Sequence, residues 1–400
     1  MKVVLFDPLS GGHHTEYAIY LARYLIACGD QVSFVTWSED RMAKATYLDR
    51  EPSLDVVYVG GKRPFGGGTA RRSVHFYSGF RRCLEFARRA KADVVHHLYL
   101  DTGELPTFAA TLSRNHPFQI FGTLFWLHFV VPDEGRVSLQ RRSYYRARRW
   151  AIGRQLGSGR LARLFVHSDA TKDALARIYG EPLVKASVSV VPDPAPEPPA
   201  ISAAQARKEL DLPPGIPLML FFGGLRHNKG PDLFVEALSS VSGEWIAMIA
   251  GEPQDLGVED ITKIGGPLIE RGKLITRFGS VWGEEVDKYF AAADLVVLPY
   301  RRTFLGTSNV LMRAAAATTP VIATDVGRVG ATVRNHQLGT VVEPESPQVL
   351  ADAINGFLAD RDRITREVRP HAEQYAAENS WRVLGHEVRE SYVSELEEES

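Results

Sequence analysis

Short runs of β-branched and apolar residues alternate with longer stretches of helical periodicity along the whole chain. This alternation is typical of β-α-β units, whose strands form parallel sheets. Residues 15–28 show the helical counterpart, because Ala18, Leu21 and Leu25 recur on one face. The pattern therefore predicts an α/β fold with two doubly wound parallel sheets. The predicted strands are 3–6, 32–36, 56–59, 94–97, 119–124, 164–167 and 188–191 in the first half, and 218–222, 246–250, 274–278, 295–298, 321–324 and 340–342 in the second.

A proline-rich stretch divides the two halves. Five of the eight residues 192–199 are proline, which is too many for a helix or a central strand and is typical of a semi-rigid linker. We predict one domain over 1–195 and a second over 196–375. Residues 370–396 have helical spacing, with Trp381, Leu384 and Val388 on one face. We expect residues 376–400 to form a helix that packs back on the N-terminal domain.

Composition supports a globular protein of this size. Of 400 residues, 44% are hydrophobic and 24% are charged, which is ordinary for packed domains. The longest apolar stretch, 118–131, is shorter than the roughly 20 residues of a membrane span and contains Gln119 and His128. The first residues lack the features of a signal peptide, so we predict cytoplasmic residence. Cys28 and Cys83 form no C-x-x-C pair, which argues against a disulfide framework.

Charge is distributed unequally between the halves. Residues 1–195 carry 27 Lys and Arg against 18 Asp and Glu, whereas the remainder carries 20 against 30. This asymmetry predicts either two domains that attract each other or a basic half that meets an anionic surface. A few surface runs, such as the acidic 397–399, are the simpler explanation. A pI near 6.9 and the lack of a recognition fold argue against nucleic-acid binding.

One basic segment stands out, because arginines and aromatic residues are interleaved over 141–160. We interpret it as a helix that contacts an anionic membrane presenting a lipid-linked acceptor, which would place the protein peripherally at the inner face of the membrane. A solvated arginine-rich face is the alternative. The arginines are Arg141, Arg142, Arg146, Arg148, Arg149, Arg154 and Arg160.

Candidate ligand contacts follow the strands of the first half. Gly11 and Gly12 lie between the first strand and the first helix, where they allow a backbone to approach a ligand and a helix N-terminus favours an anion. A turn that needs glycine only for its backbone angles is the alternative. Histidines also end several strands, and we select His97 and His128 as contacts for a sugar or acceptor. A structural role is the alternative for each histidine.

The most informative segment is the loop 223–230, which directly follows the first strand of the second half. Its Arg226 and Lys229 on a glycine-rich turn suit a diphosphate, because arginine binds phosphate oxygens in pairs and lysine acts as a point charge. Residues 306–309 follow the predicted strand 295–298 and begin a helix, whose free N–H groups also suit phosphate. No spacing of ligands indicates a metal site, so we predict none.

These segments resemble, in order, the family-4 retaining glycosyltransferases, also called group 1 glycosyltransferases, which have the GT-B fold. The resemblance implies two Rossmann-like domains with an interdomain cleft, and transfer of a sugar from a nucleotide-sugar donor to a glycan, lipid-linked or small-molecule acceptor with retention of configuration. It also implies that neither a metal nor a bound cofactor is needed. The matching segments are 11–12, 166–171, 190–192, 221–230, 249–252, 278–279, 293–300 and 320–327.

The resemblance also implies roles for individual residues. Arg226 and Lys229 would neutralise the leaving diphosphate, and His97 or His128 would contact the reacting sugar or the acceptor. Donor binding would involve Gly11, Gly12, Gly224, Phe278, Gly306, Thr307, Ser308 and Asn309.

The chain departs from the family pattern at two places. Members usually carry two glutamates eight positions apart around the helix at 306, but Leu305 and Arg313 occupy these positions. Gly224 replaces the usual arginine of the lysine loop, although Arg226 lies two positions further on. A non-catalytic GT-B protein that binds nucleotide or glycan therefore stays an alternative, as does a phosphorylase- or epimerase-like enzyme on the same fold.

Overall fold

The computed structural model describes residues 1–9, 13–38, 44, 46, 48–60, 69–101, 103–112, 116–127, 138–304 and 306–398. The chain forms two compact units. Unit 1 comprises Met1–Asp193 together with Trp381–Ser400, and unit 2 comprises Pro194–Ser380. The unit boundaries thus fall at 193 and 380, where the sequence predicted 195 and 375.

Unit 1 contains a parallel sheet in the order β3-β2-β1-β4-β5-β6-β7 among its described residues. Its strands are Lys2–Asp7 (β1), Gln31–Thr36 (β2), Asp55–Tyr58 (β3), Val94–His97 (β4), Gln119–Leu124 (β5), Arg163–Val166 (β6) and Val188–Val190 (β7). Its helices are His13–Ala27 (α1), Thr69–Ala90 (α2), Glu104–Thr111 (α3), Leu139–Gly157 (α4), Asp169–Tyr179 (α5), Glu181–Ser187 (α6) and, at the end of the chain, Trp381–Glu398, named α15 below.

Strand β1 is buried on both faces, which explains its unbroken apolar run. Val4 and Phe6 join one hydrophobic cluster with residues of α2 and α4, whereas Val3 and Leu5 join another with residues of α1 and α15. Successive side chains of a strand point to opposite faces, so a strand covered by helices on both sides must be apolar throughout.

Unit 2 contains a parallel sheet in the order β10-β9-β8-β11-β12-β13 among its described residues. Its strands are Leu218–Phe222 (β8), Ile246–Gly251 (β9), Leu274–Phe278 (β10), Leu295–Leu298 (β11), Val321–Thr324 (β12) and Gly339–Val342 (β13). Its helices are Ala203–Glu209 (α7), Pro231–Leu238 (α8), Val258–Glu270 (α9), Glu284–Ala292 (α10), Asn309–Ala316 (α11), Gly327–Asn335 (α12), Pro347–Ala359 (α13) and Arg361–Glu378 (α14). A short 3-10 turn covers His227–Lys229.

The predicted helical stretch 370–396 is not one helix. It contains the end of α14 in unit 2 and most of α15 in unit 1, separated by Asn379 and Ser380. The Asn379 amide donates to the Tyr375 carbonyl at 2.9 Å, and the Asn379 carbonyl accepts from Ala195 N at 2.7 Å. These bonds end α14 beside the first residues of unit 2.

Helix α15 packs against α1 and the end of β4. Trp381 stacks on Tyr20 with the ring centroids 4.6 Å apart, and Tyr392 Oη lies 2.5 Å from His96 Nδ1. Arg389 Nε donates to Asp30 at 2.8 Å. The last helix thereby completes the core of unit 1.

Every strand predicted from the sequence is present, with both ends within one residue of the prediction. The match is easiest to explain for strands such as β1, β9 and β11, which are buried along nearly their whole length and therefore form distinct apolar runs. Within the described ranges, no helix combines the length and the hydrophobicity that a membrane crossing requires.

Candidate functional site

The strand order of unit 2 reverses between β8 and β11. In open α/β sheets, the loops on either side of such a reversal separate and leave a crevice at the carboxyl ends of the strands. The loop after β8 is 223–230, called the lysine loop below, and the segment after β11 is 299–308. The sequence singled out parts of both segments, and the topology brings them to one crevice.

The backbone of the lysine loop is fixed by the segment after β9. Gly223 N donates to the Ala250 carbonyl and Leu225 N to the Glu252 carbonyl, both at 2.9 Å. Gly251 must be glycine, because a Cβ there would lie 2.0 Å from the Gly223 oxygen. His227 N donates to Asp255 Oδ1 at 2.9 Å. The loop is therefore anchored at several points before any ligand arrives.

Lys229 ends the 3-10 turn of this loop, and its Nζ points back over Gly223. A Cβ on Gly223 would lie 3.0 Å from that nitrogen, and the Tyr300 ring centroid lies 6.0 Å from it. No described residue accepts a hydrogen bond from Nζ or forms an ion pair with it. Burial lowers the pKa of Lys229 to about 8, with a smaller contribution from the charge of Arg226. The loop thus presents a partly buried cation that no described residue neutralises.

Arg226 is exposed, and its Nε donates to Gln254 Oε1. The same glutamine covers Gly224, since a Cβ on Gly224 would lie 2.8 Å from Gln254 Nε2. An arginine at 224 would therefore displace Gln254. Arg226 is thus the only arginine within the lysine loop, and its side chain is exposed.

The predicted helix at 306 begins at Asn309, and Ser308 is its N-cap. Ser308 Oγ accepts from Leu311 N at 3.3 Å and shares a hydrogen bond of 2.9 Å with the buried Tyr300 hydroxyl. No backbone N–H of Gly306, Thr307 or Asn309 has an acceptor among the described residues. These donors are of the kind that bind anions at helix N-termini.

The lysine loop and the start of α11 lie close together. A Cβ on Gly223 would lie 3.7 Å from Val310 Cγ2, and Tyr300 lies between Lys229 and Ser308. Burial raises the pKa of Tyr300 to about 12. The hydrogen bond with Ser308 opposes this rise but is the smaller effect. The sequence analysis assigned no role to Tyr300. Its position directly after β11, eight residues before the N-cap, is the signal that could have identified it.

Phe278 ends the edge strand β10 and is half-buried against the core of unit 2. Gly279 N donates to the Gly251 carbonyl at 3.0 Å, so the ends of β9 and β10 are tied together. A donor contact by Phe278 stays a prediction.

Arg313 occupies one of the two positions where the resemblance predicts glutamate, and it pairs with a carboxylate of α10. Its side chain is 8% exposed, and Nη1 lies 3.5 Å from Asp287 Oδ1 on α10. The ion pair explains how a cation is accommodated in this helix. Leu305, at the other glutamate position, lies outside the described residues.

In unit 1, Gly11, Gly12 and His128 lie outside the described residues. His97 is described and is 1% exposed, with its ring 5.0 Å from Phe6 and 5.2 Å from Phe80. Burial lowers the pKa of His97 to about 3. Its placement inside the core argues against direct contact with a sugar or an acceptor, and its pairing with Phe6 and Phe80 supports the structural alternative.

The described part of the chain contains no group of three or more His, Cys, Asp or Glu side chains close enough to hold a metal ion. The donors at the crevice are instead a lysine, an arginine and backbone N–H groups, which are ligands for anions.

Two family models match the chain. The model described as "Glycosyltransferase Family 4" matches residues 14–194, and the model described as "Glycosyl transferases group 1" matches residues 216–360. A D-inositol 3-phosphate glycosyltransferase of Nocardia farcinica is 32% identical over 48% of this chain and 44% of its own length. A protein of the same name from Xylanimonas cellulosilytica is 26% identical over 89% of this chain and 85% of its own length. The chain thus spans about half the length of several relatives, the Nocardia protein included.

Solved structures share the fold over nearly the whole chain. Sucrose-phosphate synthase from Thermosynechococcus elongatus superposes with a TM-score of 0.74 at 20% identity and covers 98% of both chains. The Anabaena protein HepE, solved in complex with UDP, superposes with a TM-score of 0.73 at 15% identity, over 98% of this chain and 100% of that one. Because the two family models match both units and the fold is that of GT-B proteins, this chain belongs to the group 1, family 4 glycosyltransferases.

Proposed function

We propose that the protein transfers a sugar from a nucleotide-sugar donor to an acceptor, and that unit 2 binds the donor diphosphate. One observation carries this proposal. Lys229 is a partly buried cation with a lowered pKa and without a partner among the described residues, and it lies beside the N-terminus of α11. A charge in that position costs folding free energy, which a bound anion would offset.

Lys229 and the N–H groups at the start of α11 would act on the leaving diphosphate. Negative charge grows on the departing phosphate oxygens as the bond to the sugar breaks. Donors fixed in place before the reaction stabilise that charge without reorganising, and their effect is largest where water is excluded. Arg226, on the exposed side of the same loop, would bind the outer phosphate oxygens.

The donor and the acceptor are identified only by class. HepE was solved with UDP, which makes UDP the first nucleotide to test. The acceptor would be a glycan, a lipid-linked sugar or a small molecule. Transfer would retain the anomeric configuration, as in the family-4 enzymes that the sequence resembles. It would need no metal, because cationic and N–H donors already face the phosphate position.

Nucleotide binding is tested by thermal unfolding with UDP, GDP and ADP. A nucleotide that binds only the folded state, present at about 100 times its Kd, should stabilise it by roughly 2.7 kcal/mol. Lys229→Ala should reduce this stabilisation, whereas substitution of the exposed Lys263 on α9 should not. Absence of a shift with every nucleotide at millimolar concentration would overturn the proposed site.

Turnover is tested by donor consumption and product formation with a panel of nucleotide-sugars and acceptors. If Lys229 and Arg226 stabilise the leaving group, replacing either by Ala should lower kcat more than it raises KM. Loss of one fixed charge-stabilising group typically costs about 2.7–4 kcal/mol, or a hundred- to thousand-fold in kcat. Turnover that survives Lys229→Ala unchanged would contradict the assignment.

A non-catalytic protein that binds nucleotide or glycan is the second candidate, and Arg313 favours it. The side chain at this position is buried beside Asp287. In the family-4 glycosyltransferases that the sequence resembles, a glutamate at this position binds the donor ribose, and Arg313 cannot supply that carboxylate. Nucleotide binding without turnover on any donor and acceptor would favour this candidate.

We also propose that the protein contacts an anionic membrane through 141–160, but only through the exposed side of α4 and without Arg148. Arg148 is 3% exposed and pairs with Glu104, with Nε at 2.9 Å from Oε2, so it is unavailable to lipid. The apolar side of α4 is buried in unit 1. The exposed side carries Trp150 and Leu139, 55% and 80% exposed, among arginines. Apolar side chains exposed among cations suit the interface of a bilayer.

Sedimentation with liposomes tests this contact. Replacing the exposed arginines Arg141, Arg146 and Arg154 by Gln, or Trp150 by Ser, should reduce binding to anionic vesicles, and the arginine effect should be larger at low salt. The matched control replaces exposed arginines of α14, Arg363, Arg366 and Arg369, by Gln. An unmodified protein that never sediments with anionic vesicles would contradict the proposal.

A further inference from the structure

A second arginine, Arg301, holds the lysine loop from the opposite side of the crevice. It follows Tyr300 in the segment after β11. Its two terminal nitrogens donate to the Asp232 carboxylate, Nη1 to Oδ1 at 2.9 Å and Nη2 to Oδ2 at 2.6 Å. Asp232 lies in the first turn of α8, directly after the lysine loop. The geometry is the paired arrangement in which an arginine binds a carboxylate most firmly.

The same guanidinium and its backbone also contact the loop itself. Arg301 Nη1 donates to the His227 carbonyl at 2.5 Å, and Arg301 N donates to the Asn228 carbonyl at 2.9 Å. His227 and Asn228 are the two residues that precede Lys229. All of these contacts lie within unit 2, and the Arg301 and Asp232 side chains are 13% and 16% exposed. The pair is thus largely shielded from solvent screening.

A further close approach fixes the other end of the loop. Gly230 has a left-handed backbone with φ of 66°, and a Cβ on it would lie 2.1 Å from the Pro299 oxygen. Pro299 precedes Tyr300 at the end of β11. The lysine loop and the segment after β11 are therefore in direct backbone contact where the strand order reverses.

We propose that the Arg301–Asp232 pair is a positioning device that holds Lys229 at the donor phosphates. This inference deepens the proposed function and depends on it. Three of the five guanidinium N–H donors of Arg301 are already directed at Asp232 and the His227 carbonyl, so we assign Arg301 a positioning role and not direct phosphate binding. It acts through the backbone of His227 and Asn228, which sets the direction of the next side chain. Because Arg301 lies between β11 and α11, it also keeps Lys229 in register with the helix N-terminus.

Lysine at 301 could not replace arginine in this role. One ammonium group cannot span both carboxylate oxygens and the His227 carbonyl in the planar arrangement that a guanidinium provides. Removing the Asp232 charge would break the pair from the other side while leaving the crevice unchanged in shape. The neighbouring Arg302 provides a matched control, because its side chain is 64% exposed and its guanidinium approaches Glu343 and Glu345 no closer than 3.8 Å.

Nucleotide affinity measured by calorimetry, with the nucleotide that stabilises the wild type, tests this inference. Arg301→Lys and Asp232→Asn should each raise Kd by about tenfold, the effect of losing one charge-assisted hydrogen-bonding arrangement. Arg302→Lys should leave Kd within about twofold of the wild type. The melting temperature of each variant is measured in parallel, and Asp232→Asn serves as the second variant if Arg301→Lys folds poorly.

A double-mutant cycle separates positioning from general support of the fold. If Arg301 acts through Lys229, Arg301→Lys should have less than about a twofold effect on Kd in a Lys229→Ala protein. Equal losses in both backgrounds would identify a merely structural role and overturn the inference. A wild-type Kd that Arg301→Lys and Asp232→Asn leave unchanged would also overturn it, while the proposed nucleotide site would stand. Failure of the wild type to bind any nucleotide would overturn both.

Discussion

The two units differ in whether charged side chains at the carboxyl ends of their strands have partners within the protein. In unit 1, His14 Nδ1 lies 3.0 Å from Asp7 Oδ2, and the buried Glu104 is paired with Arg148. Asp101 accepts from Phe125 N at 2.9 Å and from Trp126 N at 2.6 Å. In unit 2, Lys229 has no described partner. Within the described residues, these three carboxylates of unit 1 have partners inside the unit, whereas Lys229 of unit 2 is a partly buried cation without one.

This difference separates structural charges from candidate ligand-binding charges. A buried charge that the fold neutralises stabilises local geometry, and its removal leaves a partner exposed to the penalty of desolvation. A desolvated charge that the fold leaves alone reduces stability until a ligand of opposite charge binds. The position of a group at a strand end is therefore less informative than whether the protein already satisfies it.

The largest expected effect comes from breaking a matched pair. Arg148→Ala leaves the carboxylate of Glu104 buried without its partner, which should lower the free energy of unfolding by about 3–5 kcal/mol. Urea unfolding measures the change. Arg146→Ala, an exposed arginine two positions earlier on α4, is the control and should change stability by less than about 0.5 kcal/mol. A loss below about 1 kcal/mol for Arg148→Ala would show that the pair is not structural.

Arg313→Glu tests a paired charge within unit 2, because it replaces the attraction between Arg313 and Asp287 by repulsion between two carboxylates. The new carboxylate would face Asp287 in a mostly buried position, so stability should fall by about 1–3 kcal/mol. Arg369→Glu on the exposed side of α14 controls for the change in net charge. A stable Arg313→Glu protein with tighter nucleotide binding would instead indicate that a glutamate at 313 can contact the bound nucleotide.

The unmatched lysine should make nucleotide affinity depend on pH. The lowered pKa of Lys229, about 8 in the absence of ligand, means that the cation is present below pH 8 and is lost as the pH rises above it. Above pH 8, the nucleotide affinity of the wild type should therefore fall by up to about tenfold per pH unit more than the affinity of Lys229→Ala does. Calorimetric titration from pH 7 to pH 9.5 measures this slope. Parallel slopes in both proteins would contradict the role of Lys229.

The same lowered pKa affects stability with the opposite sign. The unfolded chain binds its proton up to the ordinary lysine range, so between pH 8 and that range the unfolded state carries more protons than the folded state. The Lys229 contribution to the free energy of unfolding should therefore rise with pH in this window. Lys229→Ala should remove that rise, which urea unfolding at pH 8 and pH 10 measures.

The smallest expected effect concerns the helix start. Ser308→Ala removes the N-cap of α11 and the hydrogen bond to Tyr300, and should cost about 1 kcal/mol of stability. Ser308→Thr retains the hydroxyl and is the matched control. Thermal unfolding measures both. Equal stability of Ser308→Ala and the wild type would show that the cap does not contribute to ordering the phosphate site.

Local sequence signals predicted the strands and part of the site. Strands buried on both faces form apolar runs, and glycine, arginine and lysine in one loop indicate an anion site by residue type alone. The Arg301–Asp232 and Arg313–Asp287 pairs could not be predicted in this way, because their partners are 69 and 26 residues apart and meet only through the fold.

The two adjacent histidines of β4 show a second limit of prediction from the sequence. In the sequence His96 and His97 are equivalent candidates at a strand end, but the alternation of the strand sends them to opposite faces. His96 bonds to Tyr392 of the last helix and to Thr123, whereas His97 lies against Phe6 and Phe80. Which neighbours each face provides depends on helices far away in the chain.

The return of α15 to unit 1 imposes an order on synthesis. Residues 1–193 leave the ribosome first, but the core beside α1 stays open until Trp381, Leu384 and Tyr392 have been translated. Unit 2 is continuous, and its two ends are joined by the hydrogen bond from Ala195 N to the Asn379 carbonyl at 2.7 Å. All residues of unit 2 are thus translated before the last helix of unit 1. Until that helix is made, the exposed core of unit 1 is the part of the nascent chain most prone to aggregate.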